Sequence, residues 1–403
     1  MASGAPAFPA EVDPTLPGHP DPYPLYRQLR ETDPVHWSPF MNGWVLTRHG
    51  DAADYLRDHR FSRVAYLAAM RAKFGGGGPI LKFQSGELSF LDPPEHSWLK
   101  NVVAKAFSPQ RIAAMRPHIQ ASVDAMLARA AGAKTMDVVA DLGYPLPADV
   151  IAKMIGVPPE NCPSLREWVD GIVISRGVVR TPAMMAAGDR AAENFEAYLR
   201  ELIARRRAKP ADDLMSALID AEEKDRRMSD DQIVIMCETL FAAGHATTRN
   251  LIGNGVLTLL NHEAELTRLR DEPDLIESCV EEVLRFDPPT QAPSPQLALE
   301  DVDIGGRRIR KGEAVSVLFG AANRDPARFA DPDRFDIART DNEHFSFSFG
   351  IHYCLGASLA RAEAQIAIAT LIRRMPRLRL ATGDLKWQKM GRFRGLESLI
   401  VEF

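Results

Sequence analysis

The sequence predicts a mainly α-helical protein with a small β-rich flank, on three observations. Residues 109–218 contain one helix-forming segment after another, separated by short breaks with proline or glycine. Apolar residues recur at helical spacing behind Ser229, which predicts a long helix that ends near Asn261. Two β-like runs at 35–37 and 44–47, and a run over 302–317 that alternates apolar and polar residues, predict short antiparallel strands.

The N-terminal part begins with a proline-rich lead over residues 1–20. The pattern behind it predicts an amphipathic helix over 23–31, two strands joined by the turn signal Asn42-Gly43, and a second helix over 51–58. Four glycines at 75–78 lack the Lys-Ser/Thr of a phosphate-binding loop, so we expect a mobile loop there.

The composition excludes several classes of protein. At 403 residues and 45% hydrophobic content, the chain can bury a large core. A net charge of -5 argues against a general nucleic-acid-binding protein, and four scattered cysteines indicate a reducing compartment. No apolar run approaches the ~20 residues of a membrane span, and the N-terminus has no signal-peptide core. We therefore expect a cytoplasmic protein with neither a nucleic acid nor a membrane as partner.

The long helix has an unfavourable segment at its centre, residues 243–248. It opens with a capping-box signature, Ser229 and Gln232. Gly244 and Thr247 are poor helix formers, and a threonine hydroxyl can bond to an earlier carbonyl and loosen the helical ladder. Such a defect leaves room for a bound molecule or water. The alternative is a packed helix with a tolerated weak point.

Cys354 lies where a loop turns into a helix, because residues 360–369 are rich in helix formers. Backbone N–H groups and the helix dipole favour a thiolate there, and the thiolate is the metal-ligating form of cysteine. Gly350 permits a sharp turn, and Gly356 removes a side chain where a flat cofactor would lie against the backbone. Phe347 supplies an apolar anchor for the loop.

Two other interpretations of Cys354 compete with a cofactor-binding loop. His344 and His352 are close in sequence, but zinc needs four ligands and usually a Cys-x-x-Cys pair, which the cysteines at 162, 237, 279 and 354 do not form. A buried cysteine among glycines in an ordinary loop is the other alternative.

Phe347, Gly350, Cys354 and Gly356 stand in the register Phe-x-x-Gly-x-x-x-Cys-x-Gly, which resembles the haem-binding peptide of the cytochromes P450, the haem-thiolate monooxygenases. The resemblance implies that Cys354 is the axial ligand of the iron in haem b. It also implies the cytochrome P450 fold, with the haem between the long central helix and the cysteine loop.

Residues 243–248 are similar to the oxygen-activation groove of the same family, Ala/Gly-Gly-x-Asp/Glu-Thr-Thr. By this resemblance Ala243 lies beside the cofactor, and the catalytic residues of the groove are Gly244, Ala246, Thr247 and Thr248. Thr247 is the alcohol that assists oxygen activation.

Ala246 departs from the family pattern, because a methyl group stands where relatives carry an acid. Adjacent helical residues point about 100° apart, so we expect His245 to face away from the groove as a core or surface histidine. Protons are then expected to arrive through ordered water, completed on some substrates by a polar group of the substrate.

The phrase Asp92-Pro93-Pro94-Glu95-His96 is similar to the start of the family helix that grips the haem propionates. We expect Asp92 to cap this helix, and His96 and Lys100 share one of its faces because they are four residues apart. Taken alone, two basic groups at this spacing usually belong to a solvated surface. Lys100 stands where this family helix usually carries arginine. Gln296 fills the position of another propionate-binding arginine of the family, so haem retention is expected to depend more on His96, Lys100 and His352.

Glu282 and Arg285 are similar to the structural Glu-x-x-Arg of the family, and we expect them to serve folding rather than catalysis. The spacing alone is weak evidence, since it recurs at 223–226 and 265–268. The charged run 222–227 is interpreted as a solvated turn.

The resemblance extends over residues 21–403 and implies a single domain behind the lead. It implies insertion of one oxygen atom from dioxygen into an organic substrate. The chain carries neither a flavin-type glycine motif nor an iron–sulfur cysteine cluster, so electrons should come from ferredoxin and ferredoxin reductase or an equivalent pair.

Three alternatives stay open: a peroxide-driven peroxygenase, a haem-based ligand carrier or sensor without turnover, and a haem-free helical protein. The expected pocket walls are mostly small or apolar, which suggests an apolar small-molecule substrate of moderate size. These walls are Ala243, Thr290, Ala292, Leu396 and the loop 74–83.

Overall fold

The computed structural model describes residues 13, 15–74, 79–130, 132–175, 181–223, 226–381, 385–389 and 391–403. The glycine run 75–78, expected to be a loop, and most of the N-terminal lead lie outside the described residues. The α-helices are α1 (Tyr23–Thr32), α2 (His49–Arg57), α3 (Arg63–Phe74), α4 (Pro79–Gly86), α5 (Glu95–Ala104), α6 (Pro109–Ala130), α7 (Pro145–Ile155), α8 (Cys162–Ser175), α9 (Pro182–Ala208), α10 (Leu214–Asp220), α11 (Asp230–Asn261), α12 (Glu263–Asp271), α13 (Ile276–Phe286), α14 (Phe319–Ala322) and α15 (Ala357–Arg374).

The strands are short, as the sequence predicts. They are β1 (Val35–Ser38), β2 (Gly43–Leu46), β3 (Phe61–Ser62), β4 (Thr135–Asp137), β5 (Glu222–Glu223), β6 (Arg226–Arg227), β7 (Gln296–Ala298), β8 (Val302–Ile304), β9 (Arg307–Ile309), β10 (Ala314–Val317), β11 (Arg379–Leu380) and β12 (Ile400–Glu402). The expectation of a mainly α-helical chain with a small β-rich flank is thus confirmed.

Contacts divide the chain into two compact units. Unit 1 comprises Met1–Tyr66, Gly253–Cys354 and Arg379–Leu399, and unit 2 comprises Leu67–Ile252, Leu355–Leu378 and Ile400–Phe403. The single domain expected over residues 21–403 stays a prediction, and each unit is described by itself.

Unit 1 contains a five-stranded sheet in the order β1-β2-β10-β7-β3. Strands β1 and β2 form the expected hairpin, in which Val35 pairs with Leu46. Asn42 in its turn has a positive φ of 47°, a conformation that asparagine adopts more readily than most residues.

Strand β10 departs from the predicted pattern of purely antiparallel strands. It runs antiparallel to β7 but parallel to β2, with Val315 opposite Trp44 and Val317 opposite Leu46. A parallel pair cannot be joined by a tight turn, so no hairpin signal in the sequence could mark this pairing. The expectation is therefore wrong for the pair β10 and β2.

Unit 1 also contains the buried Glu282–Arg285 pair, at the C-terminal end of α13. Both side chains are 0% exposed and meet through two hydrogen bonds of 2.8 Å. Arg285 also donates to backbone carbonyls, of which that of Pro332 is 2.7 Å away. The copy at 265–268 is looser, with 3.9 Å between its charged atoms and Arg268 37% exposed. The structure therefore selects 282–285 as the structural copy, as expected.

Unit 2 is built around a helical core to which α4, α5 and α7 to α11 contribute buried side chains. Helix α11 is 32 residues long, and its residues up to Ile252 belong to unit 2. It ends at Asn261, as the periodicity predicts. Its capping box is confirmed, because Ser229 N donates to Gln232 Oε1 at 3.0 Å and Gln232 N donates to Ser229 Oγ at 3.2 Å.

Three local expectations in unit 2 are corrected. The N-cap of α5 is Pro94 rather than Asp92, whose carbonyl accepts the N–H of His96. Residues 222–227 include the paired strands β5 and β6 rather than a plain solvated turn. The expected loop 74–83 includes the start of α4, and Phe83 packs in the core.

In the part of the chain that the structure describes, no helix is long and apolar enough to cross a membrane.

Candidate active site

Cys354 lies in unit 1, two residues after the 3-10 turn Gly350–His352. Its backbone N–H donates to the carbonyl of Phe347 at 2.8 Å, which closes the loop on itself. The four cysteines all lie in described residues, and among them only Cys354 is exposed. The loop thus presents this sulfur at the surface of unit 1.

The other three cysteines are poor candidates for a metal-binding thiolate. Burial raises the pKa of Cys279 to about 12, and it also raises the pKa of Cys237. Burial also raises the pKa of the half-buried Cys162. Because desolvation disfavours the charged form, these three stay thiols near neutral pH.

Glycine is required at position 350. Its φ is +67°, in the left-handed region, and a Cβ would lie 2.8 Å from the carbonyl oxygen of Leu56. Phe347 is 8% exposed and anchors the loop, with its ring 6.0 Å from that of His344. Both observations agree with the roles that the sequence predicts for these residues.

In unit 2, helix α15 begins at Ala357, so the predicted change from loop to helix behind Cys354 is confirmed. A Cβ built on Gly356 would meet no described heavy atom within 4 Å. The position that a Cβ of residue 356 would take is therefore open, as a flat cofactor lying against the backbone there requires.

The centre of α11 carries an exposed strip. Ala243 is exposed and Thr247, one turn later, is half-buried, although most of their neighbours on this helix are buried. The hydroxyl of Thr247 donates to the carbonyl of Ala243 at 2.7 Å, which is the back-bonding that the sequence predicts. Gly244 serves close packing, because a Cβ there would lie 2.6 Å from Cδ1 of Ile151.

Ala246 and Thr248 lie off this strip, at 5% and 2% exposure. His245 is a core histidine, as expected, with 1% exposure and Nε2 2.9 Å from the carbonyl oxygen of Tyr144. Burial lowers the pKa of His245, so its ring is neutral near pH 7.

The remaining predicted cofactor-binding residues fall into two groups, one in each unit. On α5 in unit 2, His96 is 2% exposed and Lys100 is half-buried. In unit 1, Gln296 is 5% exposed in β7, and His352 is half-buried in the turn before Cys354. Their roles toward a cofactor stay predictions.

The single exposed cysteine Cys354 fits a haem. Among the described residues, no group of three His, Cys, Asp or Glu side chains could hold a metal ion. One exposed thiol is sufficient when a macrocycle supplies the equatorial ligands. The open space at Gly356 and the exposed strip at Ala243 agree with a flat group of this kind.

Sequence reasoning missed the other partners of Glu282. Its carboxylate also accepts from Asn342 Nδ2 at 3.2 Å and from the backbone N–H of Asp336 at 3.0 Å, and it pairs with Arg339 at 3.2 Å. The partners lie more than fifty residues further along the chain, and no local pattern marks them.

Known proteins resemble this chain in sequence and in fold. The family model described as Cytochrome P450 matches residues 181–384. The Biotin biosynthesis cytochrome P450 of Bacillus subtilis (strain 168) is 40% identical over 385 residues, which are 95% of this chain and 96% of that protein. Cytochrome P450 monooxygenase PikC of Streptomyces venezuelae is 35% identical and covers 95% of this chain and 91% of its own. The crystal structure of P450BioI in complex with hexadec-9Z-enoic acid ligated Acyl Carrier Protein has a TM-score of 0.88 at 39% identity, over 95% of this chain and 98% of that chain.

Proposed function

Since this chain belongs to the cytochrome P450 family of haem b monooxygenases, we propose that Cys354 is the axial ligand of the haem iron and that the substrate is an apolar small molecule. The observation that carries the proposal is the exposure of Cys354 in a loop closed by its own backbone hydrogen bond, while the other cysteines are buried or half-buried. Electrons come from separate proteins in this proposal.

The chain's own residues bind and orient. Cys354 would hold the iron through its sulfur, and His96, Lys100 and His352 would pair with the cofactor's carboxylates. The bound haem supplies the activation of dioxygen, which no amino-acid side chain performs. The small side chain of Ala243 leaves space beside α11 for a bound molecule. Thr247 places a hydroxyl at the edge of that space.

Proton supply is the unusual feature of this site. Thr247 donates its hydrogen to the carbonyl of Ala243, so its oxygen is left to accept a hydrogen bond from water. Ala246 has no proton to give, and His245 is neutral and turned toward Tyr144. Protons therefore reach the groove through water, or through a polar group of the substrate.

An Ala246→Glu variant is expected to form at least about twofold more product per reduced nicotinamide on substrates without a polar group, because it adds a general acid. Position 246 is 5% exposed, so burial should raise the pKa of the new carboxyl and keep part of it protonated. The measurements are the coupling, which is the product formed per reduced nicotinamide consumed, and the solvent isotope effect on the same reaction.

Ala246→Gln is the matched control, since it has the same shape without an acidic proton. If Glu and Gln behave alike while Thr247→Ala abolishes coupling, protons already arrive by another efficient route.

A Gln296→Arg variant is expected to slow haem transfer to apomyoglobin by roughly fivefold, because arginine forms charge-assisted hydrogen bonds with a carboxylate. Gln296→Met is the control. Gln296 is 5% exposed, so an arginine without a carboxylate partner would be a buried unpaired charge. A lower unfolding temperature with unchanged haem transfer would count against the proposed position of the propionate.

The electron source is tested by reconstitution. We expect turnover of an apolar substrate with ferredoxin, ferredoxin reductase and reduced nicotinamide, and little turnover with peroxide alone. The opposite result would favour a peroxygenase, and substrate binding without turnover under either condition would favour a carrier or sensor.

A carrier-bound acyl chain is a second candidate substrate, favoured by the likeness to the P450BioI complex with an acylated carrier protein. It predicts that an acylated carrier protein shifts the haem spectrum at lower concentration than the free fatty acid does. If the acylated carrier protein and the free fatty acid shift the spectrum at equal concentrations, the free small molecule remains the proposed substrate.

A further inference from the structure

Helix α5 is held from one side by the strand β6 and by the start of α11, all within unit 2. Arg226 in β6 donates to both carboxylate oxygens of Glu95, at 2.6 and 2.8 Å. The same guanidinium lies 3.7 Å from the ring centroid of Trp98, one turn further along α5. A bidentate ion pair and a cation–π contact thus share one cation.

Gln232 makes a second tie to the same carboxylate. Its Nε2 donates to Glu95 Oε1 at 3.2 Å, while its Oε1 accepts the backbone N–H of Ser229. One amide therefore caps α11 and contacts α5, so the start of α11 and the first turn of α5 are joined.

These contacts lie on a different face of α5 from the predicted cofactor-binding residues. At 100° per residue, Glu95 and Trp98 are centred about 150° away from His96 and Lys100. The contacts therefore support α5 on nearly the opposite face and leave the face that carries His96 and Lys100 uncovered by Arg226 and Gln232.

Helix α5 needs such support. It has only 10 residues and its N-cap is Pro94, which has no side-chain oxygen to accept a capping bond. Short helices are marginal on their own, so tertiary contacts decide where this one lies.

We propose that Arg226 is a positioning residue that, with Glu95 and Trp98, fixes α5 so that Lys100 and His96 meet the haem carboxylates. This inference rests on the proposed function, because it assumes that those two residues hold the cofactor.

The test is haem transfer from the loaded protein to apomyoglobin. Arg226→Ala is expected to speed transfer about fivefold at low ionic strength, because it removes an ion pair and a cation–π contact. Arg226 and Glu95 are 47% and 38% exposed, so added salt should weaken their contact in the wild type. Salt should therefore narrow the difference in transfer rate between Arg226→Ala and the wild type. The transfer rate of Arg226→Lys should lie between those of Arg226→Ala and the wild type.

Arg374→Ala is the matched control, since the Arg374–Asp124 pair has the same 2.6 Å separation and exposures of 41% and 37%. It should leave haem transfer unchanged. If Arg226→Ala lowers the unfolding temperature as the control does without changing haem transfer, the contact is only structural and the inference is wrong.

Failure of the proposed function gives a different result, namely a wild-type protein without the haem-thiolate spectrum. Amide hydrogen exchange over residues 95–104 then tests the contact by itself. Arg226→Ala must raise exchange there and Arg374→Ala must not, or the role in positioning α5 is also wrong.

Discussion

A Cys354→Ser protein is expected to lose the red-shifted Soret band of its reduced carbon monoxide complex, together with essentially all monooxygenase activity. A serine hydroxyl stays protonated at neutral pH and cannot supply the electron density that a thiolate gives to haem iron. The measurement is the difference spectrum of the reduced protein with and without carbon monoxide.

Cys162→Ser is the control for this experiment, because Cys162 is half-buried and burial raises the pKa of its thiol. The control should keep the band. Survival of the band in Cys354→Ser, or its loss in Cys162→Ser, would show that the ligand is assigned to the wrong residue.

Replacing Arg285 is expected to have the second large effect, on folding. Arg285→Leu would leave the Glu282 carboxylate buried at 0% exposure without its main partner, which costs about 3–5 kcal/mol. That cost is comparable with the roughly 5–15 kcal/mol by which proteins are stable. We therefore expect little soluble protein from this variant.

Arg285→Lys keeps the charge but loses the bidentate geometry, so it should fold with a lower free energy of unfolding in urea. Arg268→Leu is the control, since the Glu265–Arg268 pair is partly exposed and 3.9 Å apart, and it should cost less than about 1 kcal/mol. Equal stabilities of Arg285→Lys and wild type would refute the structural role of the buried pair.

Features that depend on neighbouring residues could be predicted from the amino-acid sequence alone. The capping box at Ser229, the length of α11 and the turn from loop to helix behind Cys354 all follow from interactions within a few residues, and the structure confirms each. The back-bonded hydroxyl of Thr247 is also local, because it joins residues four apart.

Contacts between distant segments, by contrast, became visible only in the folded chain. Arg226 and Glu95 are 131 residues apart in the sequence. Their contact supports α5, whereas the sequence predicted only a solvated turn over 222–227. The parallel pairing of β10 with β2 and the partners of Glu282 are of the same kind. Periodicity and capping describe one element at a time, whereas these contacts depend on how whole elements pack, which no short stretch of sequence specifies.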